Sequence, residues 1–342
     1  MVLSRRQLLQ MSSYGGLGLI TSNLLSQPRQ ARAGMSAEMP LIMQLDWKFN
    51  VQFAGLLLAD GVGLYADNDV AIELLPWASG IVVPEVVAAD PRVMGCAEQN
   101  LILEAQAAGA PIKALATMFQ ASPLGLMTLP NAEIADLEDL IGKKVGMHVD
   151  GLAVMELVQG VSGFAPDAIE VIEIPYENKF DRLLSGELAA IQCYAVDEPI
   201  GFESLHGFVP KVLNLADYGY EAYAQVIVAH NELIESAPEQ ISRFLQGTFG
   251  GWSMVLEDIP AAAEQVVANY VEPGSKYEDV AYQTQSLELI AEYMLLGIEP
   301  GALGTIDRDR WMRMAQRFEA YGIIEIAPDQ EDSLASGFWP AV

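Results

Sequence analysis

Short apolar runs alternate with segments of helical periodicity along the chain from about residue 40 onward. Each apolar run has the length and composition of a buried strand, and the segment after it repeats apolar residues at helical spacing. This alternation predicts an α/β fold with mostly parallel strands joined by crossover helices. We predict strands at Leu41–Leu45, Val70–Leu75, Val93–Cys96 and Pro111–Phe119, and after Pro130 at Val145–Val149, Glu170–Ile174 and Ala189–Tyr194.

The chain of 342 residues is long enough for about two domains, and it holds two such series of strands and helices. We therefore predict two α/β lobes, the first made of residues 39–124 and 225–326 and the second of residues 125–224. The chain would cross between them at Ser122–Met127 and at Tyr218–Val228, and the helices after Ala237 would pack on the first lobe. The acidic segment 327–342 is predicted to be a loose tail. A cleft between such lobes is a usual ligand site, because strand carboxyl ends and helix amino ends converge there.

The first residues have the pattern of an export signal. Ser4-Arg5-Arg6-Gln7-Leu8-Leu9 resembles a twin-arginine motif, and it is followed by a short apolar run from Tyr14 to Leu25 and by Ala31-Arg32-Ala33 as a cleavage site. The apolar run is too short and too polar for a membrane span, which needs about 20 apolar residues. We predict a signal peptide over residues 1–33 and a periplasmic protein without direct membrane insertion.

The charge balance excludes one large class of partners. Forty-six acidic residues against 18 basic ones give a net charge of −28. Nucleic acids and anionic membrane surfaces attract basic patches, so neither is expected as a partner. The two cysteines, Cys96 and Cys193, each follow an apolar stretch, which favours buried free thiols over a disulfide framework.

A set of short motifs, in matching order and spacing, extends over roughly Pro40 to Ile324. The motifs are Leu45-Asp46-Trp47, Gln52-Phe53-Ala54-Gly55, Phe119-Gln120-Ala121-Ser122-Pro123, Asp136-Leu137 with Gly142-Lys143-Lys144-Val145-Gly146, Tyr194-Ala195-Val196-Asp197-Glu198-Pro199, Asp217-Tyr218-Gly219, and Arg310-Trp311 to Gly322. Taken together, they resemble the binding proteins for pyrimidine precursors of thiamine, which belong to the sulfonate- and taurine-type class of periplasmic binding proteins.

This resemblance implies the type II periplasmic binding protein fold, with a ligand cleft between two lobes. It also implies a monomeric substrate-binding component that has no cofactor and hands a small heteroaromatic ligand to an ABC permease. Two departures fall where the ligand is expected: Asp197 replaces a common Asn, and Phe53 replaces a His often found in the first helical turn.

Aromatic residues gather at predicted strand ends and loops, where their rings could sandwich a flat ligand. By analogy with base stacking, each such contact is worth about 1–3 kcal/mol. The alternative for any one ring is an ordinary place in the core. The aromatic residues in question are Trp47, Phe49, Trp77, Phe119, Tyr176, Tyr194, Tyr218, Tyr220 and Tyr223, of which we select Trp47, Trp77, Phe119, Tyr176, Tyr194 and Tyr220 as ligand contacts.

Glu198 is the candidate for ligand specificity, because a carboxylate can accept two hydrogen bonds from an amino group and a protonated ring nitrogen of an aminopyrimidine. Asp197 adds a second negative charge that favours an amine-bearing ligand. Apart from Lys48, the candidate motifs lack cations, which disfavours sulfonates, nitrate and phosphates. Further polar candidates are Asn50, which can cap a helix running to about Tyr65, Glu98 at a helix start, and Gln120 and Ser122 at the proposed hinge.

Two other functional classes stay open. A fungal relative of the resembled family is a pyrimidine synthase that consumes its own His and uses pyridoxal phosphate, but this chain has Phe53 at that His and lacks the run of cysteines. A ligand-sensing module for a signalling partner is the other alternative. The histidines His148, His206 and His230 are too scattered for metal-ligand spacing, and no common hydrolase or phosphate-loop motif occurs.

Overall fold

The computed structural model describes residues 40–176 and 179–340. The predicted signal peptide, residues 1–33, lies outside the described residues. Within them, the strands are β1 Leu41–Gln44, β2 Ile72–Leu75, β3 Val93–Ala97, β4 Ile112–Phe119, β5 Leu124–Thr128, β6 Lys144–Met147, β7 Glu170–Glu173, β8 Ala190–Tyr194, β9 Lys211–Asn214 and β10 Ala224–His230.

These strands form two five-stranded sheets with helices around them, which confirms the α/β class. The strand order is β2-β1-β3-β10-β4 in the first sheet and β7-β6-β8-β5-β9 in the second. The chain passes between the sheets at residues 120–123 and again at residues 215–223. The predicted crossings at 122–127 and 218–228 overlap these segments but extend into β5 and β10.

Both sheets are mixed, so the prediction of mostly parallel strands needs correction. Strand β10 is antiparallel to β3 and β4, and β5 is antiparallel to β8 and β9. The physical reason is the path of the chain. A strand that arrives from the other lobe starts at the cleft, where the parallel strands of the sheet end, and it therefore runs the opposite way.

The structure has a helix at each of the positions where apolar periodicity predicts one, except that the prediction fails near Gly63. The predicted helices are Ile81–Ala88, Gln99–Ala108, Gly151–Val158, Lys179–Leu184, Ala261–Tyr270, Val280–Leu296 and Arg308–Tyr321. The helix expected from Asn50 to Tyr65 is a 3₁₀ turn and two helices, because Gly63 takes the left-handed conformation (φ 84°) between them. The helices are α1 Ala54–Val62, α2 Leu64–Asp67, α3 Val83–Ala89, α4 Gln99–Ala107, α5 Leu152–Val161, α6 Lys179–Leu184, α7 Glu198–His206, α8 Asn231–Ser236, α9 Pro238–Glu257, α10 Ile259–Asn269, α11 Val280–Leu295, α12 Arg308–Ala320 and α13 Gln330–Ser333.

Helix α9 crosses α1 on one face of the first sheet at very short range. A Cβ atom on Gly55 would lie 2.2 Å from the ring of Trp252, and one on Gly251 would lie 2.1 Å from the carbonyl oxygen of Gly55. Only glycine fits at such an approach, and the fully buried Trp252 fills the space that the missing side chains leave. The sequence of α9 predicts an apolar stripe, and all of its members are buried: Ile241, Phe244, Leu245, Phe249, Trp252 and Val255.

Helix α12 joins the two lobes and does not belong to the first lobe alone. Trp311 near its start is buried and accepts a hydrogen bond at its carbonyl oxygen from Gln99 Nε2 (3.2 Å). Near its end, Arg317 Nη1 donates to the carbonyl oxygen of Gly219 (2.7 Å), and Tyr321 packs against Gly160 of α5. One apolar cluster therefore runs without a break from the first lobe into the second.

The segment after Ala327 is packed against the first lobe, so the prediction of a loose tail is wrong for its described part. The Ala335 N–H donates to the carbonyl oxygen of Ala114 (2.9 Å) on the edge strand β4, and the ring of Trp339 stacks on Phe249 at 4.7 Å. An edge strand has free backbone groups, and an apolar tail can cover them. The prediction gave weight to the acidic residues and missed these apolar ones.

Both cysteines are buried and unpaired, as predicted: Cys96 lies in β3 and Cys193 in β8. In the part of the chain that the structure describes, no helix combines the length and apolar character that crossing a membrane requires.

Candidate functional site

A cavity of about 570 Å³, including the part open to solvent, lies between the two sheets. Most of its wall residues follow the carboxyl ends of parallel strands. Asp46 and Trp47 follow β1, Glu98 follows β3, Asp150 follows β6 and Asp197 follows β8. This is the position at which α/β sheets bind ligands. The wall is formed by Asp46, Trp47, Gln52, Glu98, Leu124, His148, Asp150, Tyr176, Gln192, Cys193, Tyr194, Asp197, Glu198 and Gln225.

Aromatic rings from both lobes meet at the mouth of this cavity. Trp47 and Trp77 stack with ring centroids 5.0 Å apart, and Tyr176 of the second lobe contacts them at 5.3 and 5.8 Å. The indole N–H groups are held by the protein, that of Trp47 by Tyr277 Oη (2.7 Å) and that of Trp77 by the carbonyl oxygen of Ile81 (2.9 Å). The ring planes are therefore fixed, and apolar ring surface faces the cavity.

Two carboxyl groups of the first lobe lie in this cavity with amide and hydroxyl donors around them. Asp46 accepts from Gln225 Nε2 at 2.8 Å and from Gln52 Nε2 at 3.4 Å. Glu98 accepts from Ser122 Oγ at 2.7 Å and from Tyr194 Oη at 2.9 Å. Burial raises the pKa of Asp46 to about 7 and that of Glu98 to about 8.

Gln225, at the start of β10, has one polar atom without a partner. The residue is 1% exposed, and its Oε1 atom has no hydrogen-bond donor among the described residues, while its Nε2 atom donates to Asp46. A buried acceptor without a donor costs about 1–3 kcal/mol. The residue also has a left-handed backbone (φ 52°), which is unfavourable for a non-glycine residue.

A buried lysine that the sequence analysis did not single out neutralises Glu198. Lys179 Nζ donates to Glu198 Oε1 (2.5 Å), to the carbonyl oxygen of Gln192 (2.9 Å) and to His148 Nε2 (3.3 Å), which uses its three N–H bonds. The other oxygen of Glu198 accepts from the Tyr194 N–H (2.6 Å). Burial acts to raise the pKa of Glu198, but Lys179, Lys276 and the Tyr194 N–H hold it below its ordinary value.

His148 is neutral in this arrangement. Burial lowers its pKa to about 3, and the charge of Lys179 acts in the same direction. Because an ammonium group can only donate, His148 Nε2 accepts, and the ring proton is on Nδ1. The ring of His148 contacts Tyr176 at 4.3 Å, so this polar group supports the aromatic wall.

Asp197 also has partners within the protein. Lys276 Nζ (2.8 Å), Tyr277 Oη (3.2 Å) and Tyr282 Oη donate to its carboxylate, and all three come from the segment that precedes and opens α11. The two acids predicted to bind an amine-bearing ligand are thus both engaged in ion pairs. Among the described residues, three other acids of the cavity, Asp46, Glu98 and Asp150, form no such ion pair.

The structure places the predicted site residues in two groups. Trp47, Glu98, Tyr176, Tyr194, Asp197 and Glu198 line the cavity, and Trp77 adjoins it in the aromatic wall. The remaining five are buried behind the wall: Asn50, Phe119, Gln120, Ser122 and Tyr220. The side chain of Asn50 caps the 3₁₀ turn, Gln120 donates to the carbonyl oxygen of Thr305, and Ser122 donates to Glu98. Tyr220 donates to Asn100 Oδ1.

Several wall residues were not predicted. Asp46 lies inside the motif that holds Trp47, and its position after β1 was the signal for it. Gln192 and Gln225 lie within strands, and the sequence does not show which way their side chains point. Among the described residues, no group of three or more His, Cys, Asp or Glu side chains is arranged to hold a metal ion.

The profile of a family described as NMT1/THI5 like matches residues 50–263, which is more than half of the chain. The chain belongs to this family. The match agrees with the predicted resemblance to binding proteins for thiamine precursors. It begins after β1 and covers strands of both sheets, including β3 and the whole second lobe.

Two relatives of this NMT1/THI5-like protein have names that state different functions. The chain is 25% identical over 231 residues to a 4-amino-5-hydroxymethyl-2-methylpyrimidine phosphate synthase of Legionella pneumophila, covering 64% of this chain and 70% of that protein. It is 22% identical over 316 residues to the riboflavin-binding protein RibY of Chloroflexus aurantiacus, covering 85% and 83%.

Among solved structures, the periplasmic aliphatic sulphonate binding protein SsuA of Escherichia coli superimposes with a TM-score of 0.64 at 16% identity, covering 87% of this chain and 92% of that one. At this identity the likeness shows the fold alone. The fold is that of type II periplasmic binding proteins, as predicted.

Proposed function

We propose that this protein is the periplasmic substrate-binding component of an ABC importer and that it binds a small, flat heteroaromatic ligand of the pyrimidine type. The observation that carries the proposal is the aromatic wall of Trp47, Trp77 and Tyr176 at one interlobe cavity. Rings from two lobes can close on the two faces of a flat ligand, as in stacking on nucleic-acid bases.

The cleft also has the parts that lobe closure needs. Tyr194 Oη of the second lobe donates to Glu98 Oε1 of the first (2.9 Å), and Asn100 Nδ2 donates to the carbonyl oxygen of Asp150 (3.1 Å). These bonds cross the cleft next to the cavity. A ligand that adds contacts to both lobes therefore favours the closed arrangement, which is the form that would dock on a permease.

A non-enzymatic role is favoured by the state of the candidate groups. The buried lysine of the cleft, Lys179, has all its N–H bonds in use inside the protein, and Phe53, at the position of the resembled enzyme's His, is fully buried. A lysine held in this way is a poor partner for a carbonyl cofactor. The synthase named among the relatives makes a direct test necessary.

The test is calorimetric titration with 4-amino-5-hydroxymethyl-2-methylpyrimidine, riboflavin and an alkanesulfonate. We expect the pyrimidine to bind most tightly, and Trp47→Ala and Tyr176→Ala each to weaken it at least about tenfold, the loss of one stacking contact. Trp339→Ala, which removes an indole far from the cleft, is the matched control and should leave the affinity unchanged. If no flat ligand binds, or if both cleft variants bind like the control, the proposal is wrong.

The enzymatic alternative has its own measurement. The protein is incubated with pyridoxal phosphate, and its absorbance spectrum is recorded before and after borohydride reduction. We expect no lysine-linked absorbance band. A reducible band that disappears in Lys179→Met would overturn the binding-protein role.

A further inference from the structure

Asp46 and Glu98 are two carboxyl groups of the cavity for which the described residues supply no cationic partner. Among the described residues, the ion pairs of the cleft are Lys179–Glu198 and Lys276–Asp197, and neither includes Asp46 or Glu98. The side chains around these two carboxyl groups are amides and hydroxyls, which donate hydrogen bonds but carry no charge.

Gln225 supplies an independent sign of a missing partner. Its Oε1 atom is buried without a donor on the wall of the same cavity. Turning the amide over would not satisfy it, because the oxygen would then lie where Nε2 now meets the Asp46 carboxylate at 2.8 Å. The wall therefore offers this acceptor to a hydrogen-bond donor of the ligand, and beside two carboxyl groups a charged N–H donor suits it best.

We propose that Asp46, Glu98 and Gln225 form a subsite for the cationic edge of the ligand, a protonated amine or an amidinium-type group. The inference rests on the proposed function and deepens it, because it assigns the charge of the ligand to these residues. Glu198, whose counter-charge is already present in Lys179, then holds the second lobe's wall in shape. An organic cation fits better than a metal, since the described residues contain no metal-holding group.

Proton linkage gives this subsite a measurable signature. Without ligand, burial keeps the pKa of Asp46 at about 7 and that of Glu98 at about 8, so both bind protons near neutral pH. A bound cation favours the charged carboxylates and lowers both pKa values, so binding releases protons and tightens as the pH rises through this range. The other titratable groups that face Asp46 and Glu98 are Cys96, Asp150, Tyr176, Tyr194 and Tyr220. The positive charge of Lys179 acts to lower the pKa of Asp150.

The experiment compares two flat probes of the same shape, benzamidinium and benzamide, by calorimetric titration at neutral pH in two buffers of different ionisation enthalpy. We expect benzamidinium to bind at least about tenfold tighter than benzamide and to release protons. The isosteric variants Asp46→Asn and Glu98→Gln should each reduce this preference and the proton release. The matched controls Asp167→Asn and Glu156→Gln, on exposed acids of the second lobe, should change neither.

Two results separate the two proposals. Equal affinity for the two probes, or binding without proton release, would overturn the cationic subsite. If a pyrimidine or riboflavin still binds in that case, the proposed function of the aromatic cleft is retained. Failure of every flat ring to bind would instead overturn the proposed function, and the subsite with it. Thermal unfolding of each variant shows that it is folded, so a loss of affinity is not a loss of structure.

Discussion

The Lys179→Met substitution tests how strongly the cleft depends on its buried ion pair. Methionine keeps most of the length and apolar volume of lysine but removes the ammonium group. The side chain of Lys179 is 5% exposed and that of Glu198 is 17% exposed, so water can replace the lost partner only in part. The Glu198 carboxylate, the Gln192 carbonyl oxygen and His148 Nε2 would all lose a donor at once.

Breaking a buried pair by removing one partner costs about 3–5 kcal/mol, because the remaining charge stays desolvated. We expect Lys179→Met to lose free energy of unfolding in this range. The double variant Lys179→Met/Glu198→Gln should regain a large part of it, because no uncompensated charge is left. Lys144→Met is the matched control: its pair with Glu170 is 3.7 Å long and about half exposed (52% and 56%), and such pairs contribute about 0–1 kcal/mol.

The assay is urea unfolding followed by tryptophan fluorescence, at neutral pH and in acid. The pKa of Glu198 in the folded protein lies below its ordinary value of 4.5, so the pair stabilises at neutral pH. This contribution is lost as the pH falls through the lowered pKa, and the deficit of Lys179→Met should shrink accordingly. The reasoning fails if Lys179→Met unfolds like Lys144→Met, or if the double variant is no more stable than the single one.

Two further predictions concern packing away from the cleft. Gly55→Ala places a methyl group in the space that the Trp252 indole occupies. Overpacking of this kind should lower the free energy of unfolding, measured by urea denaturation, by about 1–3 kcal/mol. The control Gly301→Ala, at a site with free space, should have little effect. Trp339→Ala removes the ring stacked on Phe249 and a hydrogen bond to the Leu303 carbonyl oxygen. It should therefore lower the melting temperature by several degrees. An unchanged melting temperature would mean that the tail does not stabilise the first lobe.

The strand ends of the cleft could be predicted because their evidence is local. Trp47, Glu98 and Tyr194 come at or just after apolar runs whose length marks them as strands, and parallel strands end on the same side of a sheet. The helix boundaries were predictable for the same reason, from periodicity and from caps such as Asn50. These features depend on neighbours only a few residues away.

The direction of β10 and the place of the tail could not be predicted in this way. A strand's direction depends on where the chain returns from, and β10 enters its sheet after the whole second lobe. The tail pairs with Ala114 and stacks on Phe249, which lie far back in the sequence. Acidic composition alone therefore gave the wrong answer for a segment with apolar contact residues.

The amino-acid sequence by itself determined the α/β class, the strand ends and the family, because each of these depends on local pattern. Only the tertiary structure decided that Trp47 lines the cavity while Phe119, equally aromatic and also at a strand end, is fully buried. It likewise decided that Lys179 takes Glu198 as its partner and that none of the described residues gives Asp46 such a cation. The physical reason is that burial and pairing depend on atoms within about 3–4 Å, which the fold brings together from distant parts of the chain.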